Sequence, residues 1–150
     1  MKTRSLLNKF SSKGFTLIEL LIVIAILGVL AAGILVAIDP IDKINQSNDA
    51  KVQNDVSGMA RAAEAYAILH NGLYPVVLDD LVNSGELKRA PVAPSGYDAY
   101  VFLGQPDNTS VLISGQLKSK KYTSVDTPFW NYNSSTGKSC ARRLYWLACP

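Results

Sequence analysis

A single carboxylate interrupts a long apolar segment near the start of the chain. Between Phe15 and Ile38 the only charged side chain is that of Glu19. A carboxylate inside a membrane segment is costly and is usually retained because it has a partner and a function. The chemistry that Glu19 predicts is therefore ion pairing with a cationic group from outside the segment.

Residues that could support catalysis or bind a metal form no recognisable motif in this sequence. His70 is the only histidine, and it lies at a predicted helix end, where a capping role is the more common one. We interpret Asp79 and Asp80 as a solvated first-turn pair rather than as a catalytic dyad. Nucleophile-elbow, phosphate-loop and metal-ligand spacings are absent. We predict no enzymatic activity, no cofactor and no metal site.

The apolar segment has the length of a membrane span. A helix from Phe15 to Ile38 would reach about 36 Å, which exceeds a hydrocarbon core of about 30 Å. The residues before it include four basic side chains and no acid: Lys2, Arg4, Lys9 and Lys13. Because positive flanks stay in the cytoplasm, we expect a cytoplasmic N-terminus and the bulk of the chain outside. A secretory signal peptide would have a shorter apolar region, and a plain anchor would not explain the sequence from Gly14 to Glu19.

The string Gly-Phe-Thr-Leu-Ile-Glu from Gly14 to Glu19, followed by an unbroken apolar run, resembles the start of type IV prepilins and type II secretion pseudopilins. The resemblance implies that a prepilin peptidase cuts between Gly14 and Phe15 and that Phe15 is then N-methylated. It also implies two further partners, namely identical or related pilin subunits in a helical filament and an inner-membrane assembly platform. The location that it implies is the bacterial inner membrane, followed by an extracellular or periplasmic filament.

Cleavage would place a protonated amine on Phe15, close to the carboxylate of Glu19. The two residues are separated by about 6 Å along a helix axis, and an acid near a helix N-terminus is favoured by the helix dipole. We hypothesise that Glu19 neutralises the Phe15 amine of an adjacent subunit as each protein enters a filament.

We predict four regions: a leader at 1–14, a transmembrane or filament-core helix at 15–38, its amphipathic continuation at 39–72, and a globular head at 73–150. Apolar residues recur at helical spacing from Ile41 and Ile44 to Tyr66, which predicts one buried face. Pro40 predicts a kink in one continuous helix, and a separate second helix starting there is the alternative.

The head is predicted to hold a short helix and a small antiparallel sheet, which gives an α+β, pilin-like fold with a long N-terminal helix packed on the sheet. The short helix is predicted at Val77–Asn83. The strands are predicted at Tyr97–Leu103, Val111–Leu117, Phe129–Tyr132 and Leu144–Leu147.

The two cysteines of the chain, Cys140 and Cys149, lie outside the membrane in the predicted topology, where oxidation is permitted. A disulfide between them would close a short loop and contribute about 2.7 kcal/mol in the chain-entropy model. A zinc site is a poor alternative because the chain has a single histidine. We predict the disulfide.

The C-terminal part of the chain is basic and rich in aromatic residues, a combination that suits phosphate contact and base stacking. The candidate nucleic-acid contacts are Lys118, Lys120, Lys121, Arg142 and Arg143. Some pilins take up DNA. The interpretation that we favour is that the aromatic residues pack the head and the charges offset acids on the long helix or on a neighbouring subunit. The formal net charge of +3 comes from the leader, so the processed chain is close to neutral.

Two kinds of filament subunit fit the N-terminus. A type IV pilin builds a surface fibre for adhesion, motility or DNA uptake, and a pseudopilin builds a periplasmic fibre for protein export. The cysteine pair resembles pilins, and a calcium site of the major-pseudopilin kind lacks ligands, because Asp126 is the only acid after Asp107. The short head and the helix end at Asn71-Gly72 resemble major pseudopilins instead. We predict a pilus subunit, with a secretion pseudopilin as the alternative and a membrane-anchored binding protein as the third reading.

Overall fold

A computed structural model of the protein describes residues 14–150, so the basic residues of the predicted leader lie outside the described residues. The described chain forms two compact units, one ending at Asp39 and the other comprising Pro40–Pro150. Its elements in chain order are α1 (Leu17–Ile38), α2 (Pro40–Leu69), α3 (Leu78–Asn83), β1 (Val101–Gly104), β2 (Val111–Gln116), α4 (Lys120–Thr123), β3 (Phe129–Asn133) and β4 (Lys138–Arg142). The predicted α+β class, a long apolar N-terminal helix followed by a small antiparallel sheet, is confirmed.

The predicted interruption at Asp39-Pro40 is a break between two helices. α1 ends at Ile38, Asp39 adopts the left-handed backbone region (φ 45°, ψ 73°), and α2 begins at Pro40. A proline ring disfavours a right-handed helical conformation in the preceding residue. The continuous helix kinked at Pro40 is therefore wrong for this structure, and the alternative of a second helix is found. Proline suits the first position of a helix because the N–H that it lacks would be unpaired there.

α2 is amphipathic, but its buried face is shorter than the apolar pattern predicts. Val52, Val56 and Met59 are fully buried. In contrast, Ile41 and Ile44 are 70% and 62% exposed, so their predicted burial is wrong. The reason is that the head contacts the first turns of α2 only through hydrogen bonds to Asp42 and Asn45, and burial of the helix begins at Asp49.

The end of α2 follows the chemistry of Asn71-Gly72. Both residues have positive φ angles (56° and 85°), and the Gly72 N–H donates to the Ala67 carbonyl at 2.8 Å. This backbone arrangement closes a helix because it pairs a carbonyl that would otherwise lack a donor. His70 directly follows the last helical residue, and its ring stacks on that of Tyr66 with the ring centres 3.8 Å apart.

The sheet is a four-stranded antiparallel meander in the order β1-β2-β3-β4, and α2 packs against β2 and β3. Gly115 in β2 lets the helix approach closely, since a Cβ atom there would lie 2.5 Å from Cγ1 of Val52. The prediction of a strand at Leu144–Leu147 is wrong. The fourth strand is Lys138–Arg142, a polar segment that gains its strand conformation by pairing with β3 across the turn at Gly137.

One buried carboxylate joins α2 to the segment that follows β2. Asp49 is 1% exposed. Its Oδ1 accepts hydrogen bonds from the Tyr97 hydroxyl at 2.9 Å and from the Lys118 N–H at 2.8 Å, and its Oδ2 accepts from the Ser119 N–H at 2.9 Å. A buried charge is tolerated when hydrogen bonds satisfy it. This arrangement fixes the start of α4 against α2.

Tyrosine hydroxyls tie the rest of the head to the same helix. Three of them donate to carboxylates on α2: Tyr97 to Asp49, Tyr100 to Asp55 and Tyr132 to Glu64. Burial raises the pKa of all three phenols, and the hydrogen bond to a carboxylate raises each pKa further. The three phenols therefore stay protonated above the usual tyrosine pKa of about 10.

Replacing Asp49 by asparagine should destabilise the head, because the amide NH2 would face a backbone N–H. Both groups are donors, so no hydrogen bond could form between them. We expect the free energy of unfolding to fall by about 3 kcal/mol. The measurement is a urea titration of the full chain in detergent, followed by the fluorescence of Trp130 and Trp146. The control is Asp98→Asn at an exposed position, which should change stability by less than about 0.5 kcal/mol. Equal stability of the two variants would contradict the role of Asp49.

The raised phenol pKa values predict a specific alkaline titration. A group whose pKa is higher in the folded state stabilises the fold fully below the unfolded pKa of about 10, and this stabilisation is lost as the pH rises through the folded pKa. At pH 10.5, folded wild type and folded Tyr100→Phe should therefore show the same tyrosinate absorbance at 295 nm. After denaturation the variant should show one tyrosinate fewer. A deficit already present in the folded variant would refute the raised pKa of Tyr100.

Candidate processing and assembly site

The predicted cleavage point lies outside any helix or strand, immediately before α1. Gly14, Phe15 and Thr16 precede the first helical residue, Leu17, and the Phe15 side chain is 78% exposed. A Cβ atom at Gly14 would meet no atom within 4 Å. The Gly14–Phe15 peptide bond is thus open to a protease on the described part of the chain.

A capping box holds Glu19 at the start of α1. The Thr16 N–H and Oγ1 both donate to Glu19 Oε2, at 2.9 Å and 2.6 Å. In return, the Glu19 N–H donates to Thr16 Oγ1 at 3.3 Å. Each side chain satisfies a backbone donor of the other residue, which is the arrangement that begins many helices. The carboxylate is therefore held beside Phe15 and at the positive end of the helix dipole.

The rest of α1 is an apolar surface without cover. Leu17–Leu35 has a mean hydropathy of 2.8, and no part of this span is buried. Its length and composition are those of a helix that can cross a membrane. A helix that is apolar on all sides needs lipid or other apolar helices around it. The span lies within residues 15–38, for which a transmembrane or filament-core role stays a prediction.

The structure joins Cys140 and Cys149 in a disulfide, as predicted, with their Cα atoms 5.8 Å apart. The bond ties the C-terminal segment to β4. Asn131, which is fully buried in β3, strengthens the attachment, because its Nδ2 donates to the carbonyls of Leu144 at 2.9 Å and Leu147 at 2.8 Å. Leu144–Leu147 therefore lies against the sheet as an irregular segment and not as a strand.

The basic residues of the C-terminal part occupy two places in the fold. Lys118, Lys120 and Lys121 lie at and beside α4, whereas Arg142 and Arg143 lie at the end of β4. Most of these residues have partners in the head, as follows. Lys118 donates to the Gly96 carbonyl and lies over the Tyr97 ring, Lys121 lies 4.9 Å from the centre of the Tyr122 ring, Lys120 donates its N–H to Asp42, and Arg143 pairs with Asp126 at 2.8 Å. Nucleic-acid contact by these residues stays a prediction.

Among residues 14–150, no group of three or more His, Cys, Asp or Glu side chains is placed to hold a metal ion. Asp79 and Asp80, considered above as a pair, lie in the first turn of α3. Asp80 has a structural role there, since its Oδ2 accepts hydrogen bonds from the N–H groups of Val76 and Val77.

Comparison with known proteins shows which family this chain is similar to. A family model described as the prokaryotic N-terminal methylation motif matches residues 9–35. Competence protein ComGC from Bacillus subtilis (strain 168) is 36% identical over 87 residues, which span 57% of this chain and 85% of ComGC. The chain belongs to the type IV pilin-like family. A solved type IV pilin protein from Thermus thermophilus is 21% identical and has a TM-score of 0.45, with 63% of this chain and 98% of that chain covered.

Two residues with structural roles, one at this site and one in the pilin-like head, were missed from the sequence. Thr16 is the partner that orients Glu19, and the Thr-x-x-Glu spacing at the start of an apolar run is a recognised helix-start signal. Asp49 lies in the amphipathic helix α2, where a charged residue is ordinarily expected on the exposed face. No local pattern could have identified it as buried, because its partners Tyr97, Lys118 and Ser119 are distant in the chain.

Replacing both cysteines by serine should destabilise the C-terminal part of this pilin-like head. We expect the free energy of unfolding to fall by about 2.7 kcal/mol, the loop-closure contribution of a short bridge. Urea titrations of oxidised wild type, reduced wild type and the Cys140→Ser/Cys149→Ser variant provide the measurement. Reduced wild type is the control and should match the variant. A variant as stable as the oxidised protein would contradict the stabilising role of the bond.

Proposed function

We propose that this chain is a structural subunit of a type IV pilus-like filament that acts in DNA uptake. The observation that carries the proposal is the uncovered apolar helix Leu17–Leu35, which begins with a capping box around Glu19. Such a helix can lie in lipid before assembly and among identical helices afterwards, because both surroundings are apolar. Its location before assembly is the bacterial inner membrane, with the N-terminus in the cytoplasm.

Processing is the first step of the proposal. A prepilin peptidase removes the leader at 1–14 and leaves Phe15 as the N-terminal residue, which is then N-methylated. The exposure of Phe15 and the position of Gly14–Thr16 before the first helical residue support cleavage at this bond. The new amine is cationic and lies at the end of the helix where a positive charge is least favourable, so it needs a nearby anion.

Glu19 supplies that anion in the proposed filament. Within the described residues, the two Thr16 hydrogen bonds go to Oε2, and Oε1 remains for the Phe15 amine of an adjacent subunit. The capping box limits the rotamers of Glu19, so less side-chain entropy is lost when the ion pair forms. Pairing also removes an isolated charge from an apolar filament core.

DNA uptake is the role that the relative favours. ComGC is a competence protein by name, and competence is the capacity of a cell to take up DNA. The proposal assigns the same process to this chain, through the filament and not through a demonstrated nucleic-acid site. A pseudopilin that acts in protein export is the alternative outcome.

The proposal predicts a defined N-terminus and a charge requirement at Glu19. Mass spectrometry of the chain from cells with an active prepilin peptidase should show a polypeptide that begins at Phe15 and carries one methyl group. Glu19→Leu and Glu19→Gln should both remove the protein from sheared surface filaments, as measured by immunoblotting and electron microscopy, and both should abolish transformation by added DNA.

Glu19→Gln is the informative member of this pair. Glutamine keeps an oxygen that can accept from Thr16, so it preserves the cap but not the charge. Normal filaments from Glu19→Gln would show that the cap matters and the ion pair does not. An intact, unprocessed chain in the same cells would overturn the proposal. If cells that carry Glu19→Leu keep normal surface filaments and normal transformation but lose protein export, the pseudopilin alternative would be favoured.

A further inference from the structure

A cavity of about 290 Å³ lies on the face of the sheet that α2 does not cover. Gly115 in β2 faces α2, since a Cβ atom there would meet Val52. Because side chains alternate along a strand, Ser114 and Gln116 face the opposite side, and both line this cavity. Its volume is near the lower end of the range for small-molecule sites, about 300–1,000 Å³, so it suits one small ligand unit.

Aromatic rings form part of the lining. Phe129 of β3 lies directly opposite Gln116 in the register, and paired residues share a face of the sheet. The ring of Tyr145 meets that of Phe129 edge to face, with the ring centres 5.9 Å apart, and both side chains line the cavity. Trp146 lies beside them, with its ring centre 4.6 Å from that of Tyr145, and is 55% exposed. The cavity therefore offers aromatic surface to a ligand.

Two polar side chains of the lining can bind a ligand. The Asp98 N–H donates to Gln116 Oε1 at 3.1 Å, which orients the amide and leaves its Nε2 as a donor. Asp98 is exposed. Within the described residues, neither the Asp98 carboxylate nor Gln116 Nε2 has a hydrogen-bond partner. A carboxylate only accepts and an amide NH2 only donates, so the cavity provides one group of each kind.

A sugar ring has the complementary chemistry. Hydroxyl groups both donate and accept, so neighbouring hydroxyls of one ring can bind Asp98 and Gln116 together. The C–H groups of the ring carry a slight positive charge and pack well on the negative face of an aromatic ring. Other ligands fit less well. A phosphate would be repelled by the Asp98 carboxylate, and an aliphatic side chain would leave both polar groups without a partner.

We propose that this cavity binds a pyranose unit of a glycan. Asp98 accepts a hydrogen bond from one hydroxyl, Gln116 donates one to another, and Tyr145 packs on the C–H face of the ring. This binding site is additional to the proposed filament function. A contact of this size gives weak binding by itself. A filament would repeat the site along its length, and many weak contacts with one glycan-covered surface add to a strong attachment.

Titration of the full chain with trisaccharides tests the site. The probes are trisaccharides of glucose, galactose, mannose and N-acetylglucosamine. The detergent must have no sugar headgroup, because such a headgroup would compete. Amide chemical shifts of the isotope-labelled protein provide the readout. We expect at least one trisaccharide to bind saturably and to shift the amide signals of Asp98, Gln116 and Tyr145. Saturable binding by none of the four would overturn the proposal.

Substitutions locate the bound trisaccharide. Asp98→Ala keeps the backbone N–H that orients Gln116 and should raise the Kd about tenfold or more, the range of a hydrogen bond to a charged group. Tyr145→Ala should raise the Kd about two- to tenfold, the range of an aromatic packing contact, and Tyr145→Phe should restore binding. The control is Asp79→Ala, which removes an exposed carboxylate in α3. Equal binding by Asp98→Ala and Asp79→Ala would show that the cavity is not the site.

A single-stranded thymidine oligonucleotide distinguishes a glycan from nucleic acid, because bases also stack on aromatic rings. Arg142 and Arg143 lie at the end of β4, near this lining in the chain. We expect the oligonucleotide not to displace the trisaccharide. If the oligonucleotide shifts the same amide signals and no trisaccharide does, the cavity serves nucleic acid and the proposal is overturned. Failure of the filament function would appear differently, as an unprocessed chain or an absence of filaments, and would leave binding by the purified chain unchanged.

Discussion

The buried carboxylate of Asp49 is the constraint on which the arrangement of the head depends. With 1% of its surface exposed, it must be satisfied inside the protein, and it is satisfied by one hydroxyl and two backbone N–H groups. These donors come from the segments before β1 and after β2. The carboxylate therefore fixes where the sheet lies on α2, and it places the start of α4 beside the first turn of that helix.

The tyrosine hydroxyls extend the same principle along α2. Tyr100 and Tyr132 donate to Asp55 and Glu64, so polar groups on the rim of the helix hold the sheet while Val52, Val56 and Met59 fill the centre of the interface. Apolar burial supplies most of the free energy in such an interface. The hydrogen bonds instead select one position of the sheet on the helix, because any other position would leave the buried carboxylate of Asp49 and the buried hydroxyl of Tyr132 unpaired.

Apolar surface is distributed unevenly between the two compact units. In the first unit, the span Leu17–Leu35 has no buried part. In the second unit the exposed apolar side chains are scattered over the ends of α2, Val92, Val125 and the C-terminal segment. A protein that worked alone in water would be expected to bury such surface. In the proposed filament, the apolar surface of the first unit would be covered by the helices of neighbouring subunits.

By itself, the sequence determined the features that depend on neighbouring residues. The apolar span, the cap and acid at its start, the helix end at Asn71-Gly72, α3 and three of the four strands follow from local patterns of hydropathy and backbone preference. The pairing of Cys140 with Cys149 follows from there being only two cysteines. These features were predictable because the interactions that produce them act over a few positions or have a single possible partner.

Only the tertiary structure decided which apolar residues of α2 are buried and which segments of the head pair as strands. The apolar spacing of α2 includes Ile41 and Ile44, yet they stay exposed because the sheet reaches the helix only from Asp49 onward. The polar segment Lys138–Arg142 is a strand because β3 offers it a partner, and Leu144–Leu147 is not one because Asn131 takes its carbonyls. Burial, strand pairing and the partners of a buried acid depend on residues distant in the chain. Local sequence patterns therefore cannot predict them.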